Sequence, residues 1–284
     1  MSEVDSLTRF PLARRGALMG ALISGFTLAT TRVDAQAIHT DANGLVAEET
    51  KIASDGAQLP AYFARPQGAG PFPIVLVQEE VFGVHEYIKD ICRRLAHEGY
   101  MAVAIEYYAR MGDLATMTDA GQIVRDVISK TPDAQIMRDL DASAAWAASH
   151  GGDPKRLGVT GFCQGGRNTW LYAEHNPNLK AAVAWYGTVN LETTEYKPVS
   201  PILAADQLKC PLLSLSGEKD PAAKPALLKQ AAERARAAGH TVEMVLYPNA
   251  AHGFHADYRP SYRAADAADG WQRMLAWFRK YGVG

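Results

Sequence analysis

Apolar positions along this chain switch between two periods, and the switches lay out an architecture. Apolar and polar residues alternate from Leu45 to Ala53 and from Gln58 to Ala64, with Asp55-Gly56 between, which predicts an antiparallel hairpin. After the turn-rich stretch Pro66 to Pro73, Ile74-Val75-Leu76-Val77 is continuously apolar, as in a parallel strand buried on both faces. Ile88, Ile91, Cys92 and Leu95 fall at helical spacing within Tyr87 to His97, and Gly99 ends that helix. Tyr100 to Ile105 reads as the next strand. Thr118 to Ser129 and Asp133 to Ser149 read as two helices broken at Thr131-Pro132. Leu157 to Gly161 is a short buried strand, followed by a helix to about Glu174. Strands at Ala181 to Tyr186, Pro211 to Ser216 and Thr241 to Tyr247 follow, with a helix from Pro225 to Ala238 before the last of them and a closing amphipathic helix from Ala264 to Tyr281. Strands separated by helices predict an α/β fold with a mostly parallel central sheet covered on both faces.

The first 37 residues stand apart from that alternation. Arg14-Arg15 precede an uncharged, mostly apolar run from Gly16 to Thr31, and Ala35-Gln36-Ala37 offers an A-x-A cleavage site. This predicts a twin-arginine-type export signal over 1–37, processing after Ala37, and a single domain over 38–284 in the periplasm or outside the cell. If the signal does not function, the protein stays cytoplasmic. The run is shorter than the ~20 residues of a membrane span, so no stable membrane association is expected after cleavage. At 284 residues and 48% hydrophobic content the chain can bury one substantial core. A net charge of −2 without a long basic run argues against a nucleic-acid partner. Cys92, Cys163 and Cys210 are too few and scattered for a disulfide framework, and no pair has zinc-ligand spacing. An accessible thiol in an oxidising compartment is vulnerable, which is in tension with export.

Candidate chemistry centres on Gly161-Phe162-Cys163-Gln164-Gly165-Gly166. Between a strand and a helix, this has the form of a nucleophile elbow with cysteine in the usual serine position. The turn lifts Cys163 to a helix N-terminus, whose partial positive charge favours a thiolate. Asp220 and His252 follow, in the order nucleophile, acid, histidine. His252 would carry the proton and Asp220 would orient it, with Glu218 as a rival acid. The Gln164 and Val81 amides are the candidate oxyanion donors. Glu80, Arg110, Cys163, Asp220 and His252 all come just after predicted strands, where α/β sheets bind ligands. His255, three residues past His252, reads as a surface residue. Glu79 and Glu80 are an odd pair beside an oxyanion hole: a solvated turn is one reading, and a carboxyl holding the thiol protonated is the other.

The chain resembles the dienelactone hydrolase (carboxymethylenebutenolidase) family. The matching stretches are Val77-Gln78-Glu79-Glu80-Val81-Phe82-Gly83-Val84-His85, Tyr107-Tyr108-Ala109-Arg110, the elbow, Ala184-Trp185-Tyr186-Gly187, His252-Gly253-Phe254 and Arg259-Pro260-Ser261-Tyr262, with Ala267 to Arg273 behind them. The resemblance implies an α/β-hydrolase fold and a triad of Cys163, His252 and Asp220. It implies that Glu80 bonds the resting thiol and swings away when substrate binds, and that Arg110 receives a substrate carboxylate. It also places Phe82 and Phe254 against the substrate. A second carboxylate-binding arginine, expected shortly after the histidine, is not at the matching place. His255-Ala256-Asp257 stands there, and Arg259 is a substitute from further along.

Together these readings describe a cysteine-dependent hydrolase of a small carboxylate-bearing ester or lactone, acting through an acyl-enzyme without metal or organic cofactor. Two alternatives stay open: a general carboxylesterase with larger acyl substrates, and a non-catalytic binding or thiol-redox protein on the same fold. The oligomeric state is not legible in the sequence.

Overall fold

A computed structural model of the chain describes residues 38–117 and 119–284; the expected export segment, residues 1–37, lies outside them. Among the described residues, one eight-stranded sheet runs in the order β1-β2-β4-β3-β5-β6-β7-β8. Its strands are β1 Leu45–Ser54, β2 Ala57–Pro66, β3 Phe72–Gln78, β4 Met101–Ile105, β5 Gly152–Phe162, β6 Ala181–Trp185, β7 Leu212–Gly217 and β8 Val242–Tyr247. The β1–β2 hairpin pairs antiparallel, as does β2 with β4, and every pair from β4 to β8 is parallel. The helices are α1 Glu86–His97, α2 Ala120–Asp126, α3 Asp133–Ser149, α4 Gln164–His175, α5 Pro225–Ala237 and α6 Ala264–Lys280. No helix of the described residues is long and apolar enough to cross a membrane.

The helices do cover both faces. A Cβ on Gly158 of β5 would meet Phe278 of α6 and Val283, while one on Gly161 would meet Gly165 and Thr169 of α4. Residues three apart on a strand face opposite sides, so α4 and α6 sandwich the central strand. Ile74, Val75 and Leu76 of β3 have no exposed surface, which explains their continuous apolar run.

Two elements differ from their expected bounds. The helix expected over 118–129 reduces to α2 and a 3-10 turn at Ile128–Lys130. Asp119 is the reason for the late start: its Oδ1 accepts from the Gly121 and Gln122 amides at 2.8 and 3.1 Å and caps the helix there. Strand β5 starts at Gly152 rather than Leu157, because Phe72 and Pro73 pair with Gly152 and Asp153 before a register shift moves Ile74 onto Leu157.

The elbow depends on one close approach. A Cβ on Gly165, in the first turn of α4, would lie 2.4 Å from the Gln78 carbonyl oxygen and 2.6 Å from that of Glu79. Only glycine lets α4 sit this tightly over the end of β3. Gly165→Ala should therefore cost about 1–3 kcal/mol through displaced backbone. That is a Tm drop of roughly 2–4 °C per kcal/mol, read by calorimetry, with Cys163 alkylation checking the elbow.

Candidate active site

Cys163 is the junction between β5 and α4 and takes φ 56°, ψ −113°, a left-handed backbone that a non-glycine residue adopts at a cost. Its amide donates to the Trp185 carbonyl at 3.0 Å, which anchors the turn to β6. The Gln164 amide is the first of α4 and has no acceptor within the helix. Asp220 follows β7 and His252 follows β8, so the parallel strands deliver all three side chains to one end of the sheet.

There they form a chain. His252 Nε2 lies 3.1 Å from Cys163 Sγ, and Nδ1 lies 2.9 Å from Asp220 Oδ2. Asp220 Oδ1 accepts from the Ala222 and Ala223 amides at 2.8 and 2.9 Å, so both carboxylate oxygens have donors and the side chain is fully buried. Glu218, the rival acid, is exposed. Burial works against a charged His252, but the charges of Cys163 and Asp220 and their hydrogen bonds outweigh it and bring its pKa up to about 10. Tyr186, itself at φ 38°, packs edge-on against the imidazole with ring centroids 5.2 Å apart.

Glu80 is buried at the same end, but its partners are not the thiol. Tyr258 donates to Oε2, Arg259 Nη2 donates to Oε1 at 3.2 Å, and His85 Nε2 lies 3.5 Å from Oε2. Against the cost of burial, Arg259 and then His85 and Tyr258 lower its pKa to about 2. The Glu80–Cys163 bond implied by the resemblance is thus replaced: among the described residues Cys163 bonds His252. A guanidinium and a phenol are stronger partners for a carboxylate than a thiol is. Arg259 also stacks over Phe82, 5.6 Å from its ring centre, and Cys163 is among the charges that keep it protonated.

Arg110 is placed elsewhere. Its guanidinium forks onto Asp139 at 2.7 and 2.9 Å and donates to the Ser54 carbonyl at 2.8 Å, tying the segment after β4 to α3 and the β1–β2 turn. This corrects the expectation that it meets a substrate carboxylate. Phe254 is also corrected: it has no exposed surface and packs among Trp185, Tyr186 and Tyr247, so it supports the site from behind. Nor is His255 a surface residue. It is 2% exposed, its Nδ1 lies 2.7 Å from Tyr87 Oη, and burial pushes its pKa down to about 3. Tyr258 and His85 were missed as Glu80 partners. His85 lay within a matching motif, and Tyr258 carried no sequence signal beyond its neighbour Arg259.

Beneath this layer lies an unmatched pair of acids. Glu79 is fully buried, and its carboxyl group meets the Glu106 carboxyl and the Tyr107 backbone rather than a cation. Burial and the neighbouring Glu106 push its pKa well above the usual range. Glu106 accepts the Val84 amide at 2.7 Å and lies against Gly83, where φ is 82° and a Cβ would be 2.3 Å from the carboxylate. Among the described residues, no three His, Cys, Asp or Glu side chains gather as a metal site would. A cavity of about 670 Å³ opens instead beside the start of β5, among Asp141, Lys155, His175 and Asn178, and none of the predicted site residues lines it.

Residues 59–282 match the model of the dienelactone hydrolase family. The chain belongs to that family. This dienelactone hydrolase family member is 54% identical over 274 residues to a Methylorubrum extorquens protein named "Putative carboxymethylenebutenolidase", covering 96% of this chain and 94% of the relative. An Escherichia coli K12 protein of the same name is 48% identical over 260 residues, covering 91% and 96%. A Bradyrhizobium protein named "Probable 2-oxo-3-(5-oxofuran-2-ylidene)propanoate lactonase" is 30% identical over 232 residues, covering 80% and 92%. A crystal structure of a Klebsiella pneumoniae protein named "Putative Dienelactone Hydrolase" superposes with TM-score 0.81 at 53% identity, covering 84% of this chain and 99% of that one. The fold is accordingly an α/β-hydrolase, and this member of the family is an ester or lactone hydrolase of small molecules.

Two measurements follow from the electrostatics. Folding raises the Glu79 pKa, so above the usual value of 4.5 the folded state holds more protons than the unfolded one, and stability falls as pH rises. Glu79→Gln removes that slope, so its Tm relative to the parent should rise between about pH 5 and pH 8. The raised His252 pKa acts in the same direction at higher pH: its contribution is complete below about 6.5 and is lost as pH climbs through about 10. Asp220→Asn removes one cause of that shift and should lower kcat roughly 10²–10⁴-fold, checked by steady-state kinetics on an activated ester.

Proposed function

We propose that the chain is a cysteine-dependent hydrolase of a small lactone or ester bearing a carboxylate, working through an acyl-enzyme. The observation that carries this reading is the unbroken contact from Cys163 Sγ through both nitrogens of His252 to Asp220. The proton shared by Cys163 and His252 rests on Nε2, in keeping with the raised His252 pKa, and the sulfur attacks the substrate carbonyl carbon. The new C–S bond pushes electrons onto the carbonyl oxygen, and the Gln164 and Val81 amides are the donors assigned to that oxyanion. Collapse breaks the C–O bond, and the alkoxide, or the ring-opened oxygen of a lactone, takes the proton from His252. Water then gives a proton back to His252 and its hydroxide to the thioester. The C–S bond breaks, an acid is released and the Cys163–His252 pair is restored with its shared proton on Nε2.

Arg259 is the cation assigned to the substrate carboxylate. It is buried beside Phe82 and within the field of Cys163, whereas Arg110 is committed to Asp139. A substrate carboxylate arriving at Arg259 competes with Glu80 for the same guanidinium, which couples recognition to the charge around the nucleophile. The Bradyrhizobium relative's name describes a lactone carrying a 2-oxo acid, the kind of substrate this pairing suits.

The deciding experiment measures a dienelactone and p-nitrophenyl acetate side by side. Cys163→Ala should abolish turnover of both. Arg259→Gln should cut kcat/KM for the dienelactone about 10–100-fold more than for the neutral ester. Arg110→Ala should lower Tm by unpairing buried Asp139, at a cost of about 3–5 kcal/mol, without a selective loss on the dienelactone. A selective loss at Arg110 and none at Arg259 would reverse the assignment, and turnover surviving Cys163→Ala would refute the thiol mechanism.

A further inference from the structure

The segment from Ile38 to Asp41 straps across α1 and ends against the loop that starts with His252. Its contacts are mostly ionic. The Thr40 amide donates to Asp90 Oδ1 at 2.5 Å, and the Thr40 carbonyl accepts from Arg93 Nε at 2.7 Å. His39 Nδ1 lies 2.7 Å from Glu86 Oε1. At the end of the strap, the Ile38 backbone nitrogen donates to Asp257 Oδ1 at 3.2 Å. Arg94 Nη2 meets the other Asp257 oxygen at 2.7 Å, while Arg94 Nε reaches Asp90 at 2.5 Å. Three carboxylates, Glu86, Asp90 and Asp257, therefore share the guanidiniums of Arg93 and Arg94. The cluster is short of positive charge, and the Asp257 side chain within it is 2% exposed.

We propose that Asp257 is the receptor for an α-ammonium group at Ile38, formed when the chain is processed after Ala37, and that this ion pair positions the loop carrying His252 and Arg259. The proposal rests on the reading of residues 1–37 as a cleaved export signal. Hydrolysis of the Ala37–Ile38 bond consumes one water, leaving a carboxylate on Ala37 and an amine on Ile38. That amine takes a proton from solvent, since α-amines titrate near pH 8. A neutral amide donor is thereby replaced, at the same atom, by a full positive charge facing the Asp257 carboxylate. Burial raises the Asp257 pKa and Arg94 only partly offsets it, so an added cation meets a carboxylate with unmet demand.

The loop passes this anchoring to the site. Asp257 directly precedes Tyr258 and Arg259, the residues on Glu80. Turns tie the loop internally: Ala256 donates to the Gly253 carbonyl at 3.0 Å, Arg259 to Ala256 at 2.9 Å and Tyr262 to Arg259 at 3.0 Å. Asp257 touches no reacting atom and is a positioning residue.

The test compares the full chain with a protein that begins at Ile38 with a free amine, each carrying Asp257, Asp257→Asn or Asp257→Glu. The described fold lies entirely within 38–284. The Ile38 form should melt roughly 2–4 °C above the full chain. It should turn over p-nitrophenyl acetate with about 2–5-fold higher kcat at unchanged KM. Asp257→Asn should abolish both gains, and Asp257→Glu should restore part of them. The Ile38 amine should react with acetic anhydride several-fold more slowly in the parent than in Asp257→Asn, an effect that general destabilisation of the fold does not imitate at temperatures far below Tm. Equal melting of the two chain lengths, or equal amine reactivity with and without Asp257, overturns the pairing. Melting and amine reactivity do not depend on Cys163, so they separate this pairing from the thiol-hydrolase mechanism. N-terminal sequencing of protein recovered from producing cells checks the source of the amine, and a start at any residue other than Ile38 overturns processing as that source.

Discussion

The first turn of α4 lies almost in contact with the end of β3, with Gly165 facing the carbonyl oxygens of Gln78 and Glu79. Most of the site follows from that contact. It sets the left-handed turn at Cys163, holds the sulfur at the rim of the sheet, and fixes the first amide of α4 beside it. It also brings the loop after β3, with Glu80 and Val81, to the end of the sheet where Cys163 sits. β7 and β8 then need only end level with β5 for Asp220 and His252 to complete the row. The strain stored at Cys163 is carried by packing and by the Trp185 carbonyl.

Around this frame, buried acids fall into two kinds. Asp220, Glu80 and Asp139 are each met by oriented donors or cations, and their positions are thereby fixed. Glu79 faces another acid, Glu106, rather than a cation, and burial pushes its pKa well above the usual carboxyl range. Glu106 lies between the two, with one oxygen on the Val84 amide. Matched and unmatched carboxyls thus alternate along one loop, Glu79 facing inward to the protein and Glu80 toward the catalytic end. Adjacent residues on an extended chain point to opposite sides, so the pair costs little in geometry while shifting two neighbouring carboxyl pKa values in opposite directions.

Much of this was legible in the sequence because its signals are local. The strand and helix periods, the glycines at the elbow and the order Cys163, Asp220, His252 all sit within short stretches, and the structure brings that trio together. The misplacements share a different cause. Arg110 meets Asp139 and Ser54, Glu80 meets Arg259 and Tyr258, and His255 meets Tyr87, all across long separations. A motif tells which residue stands at a strand end; it does not tell which distant residue has already claimed its charge. Phe254 was misread for the same reason, since its position beside His252 suggested a pocket wall while three aromatic rings enclose it.

The two histidines of the catalytic loop draw these points together. The charges of Cys163 and Asp220 bring the His252 pKa up to about 10, while burial lowers that of His255, three residues away, to about 3. One ring is thus biased toward the cation and the other toward the neutral form, wedged between Trp185, Phe162 and Trp271. The loop therefore offers its proton at the ring that faces the sulfur, and a charge created at Cys163 is answered there while the aromatic layer behind it favours neutrality.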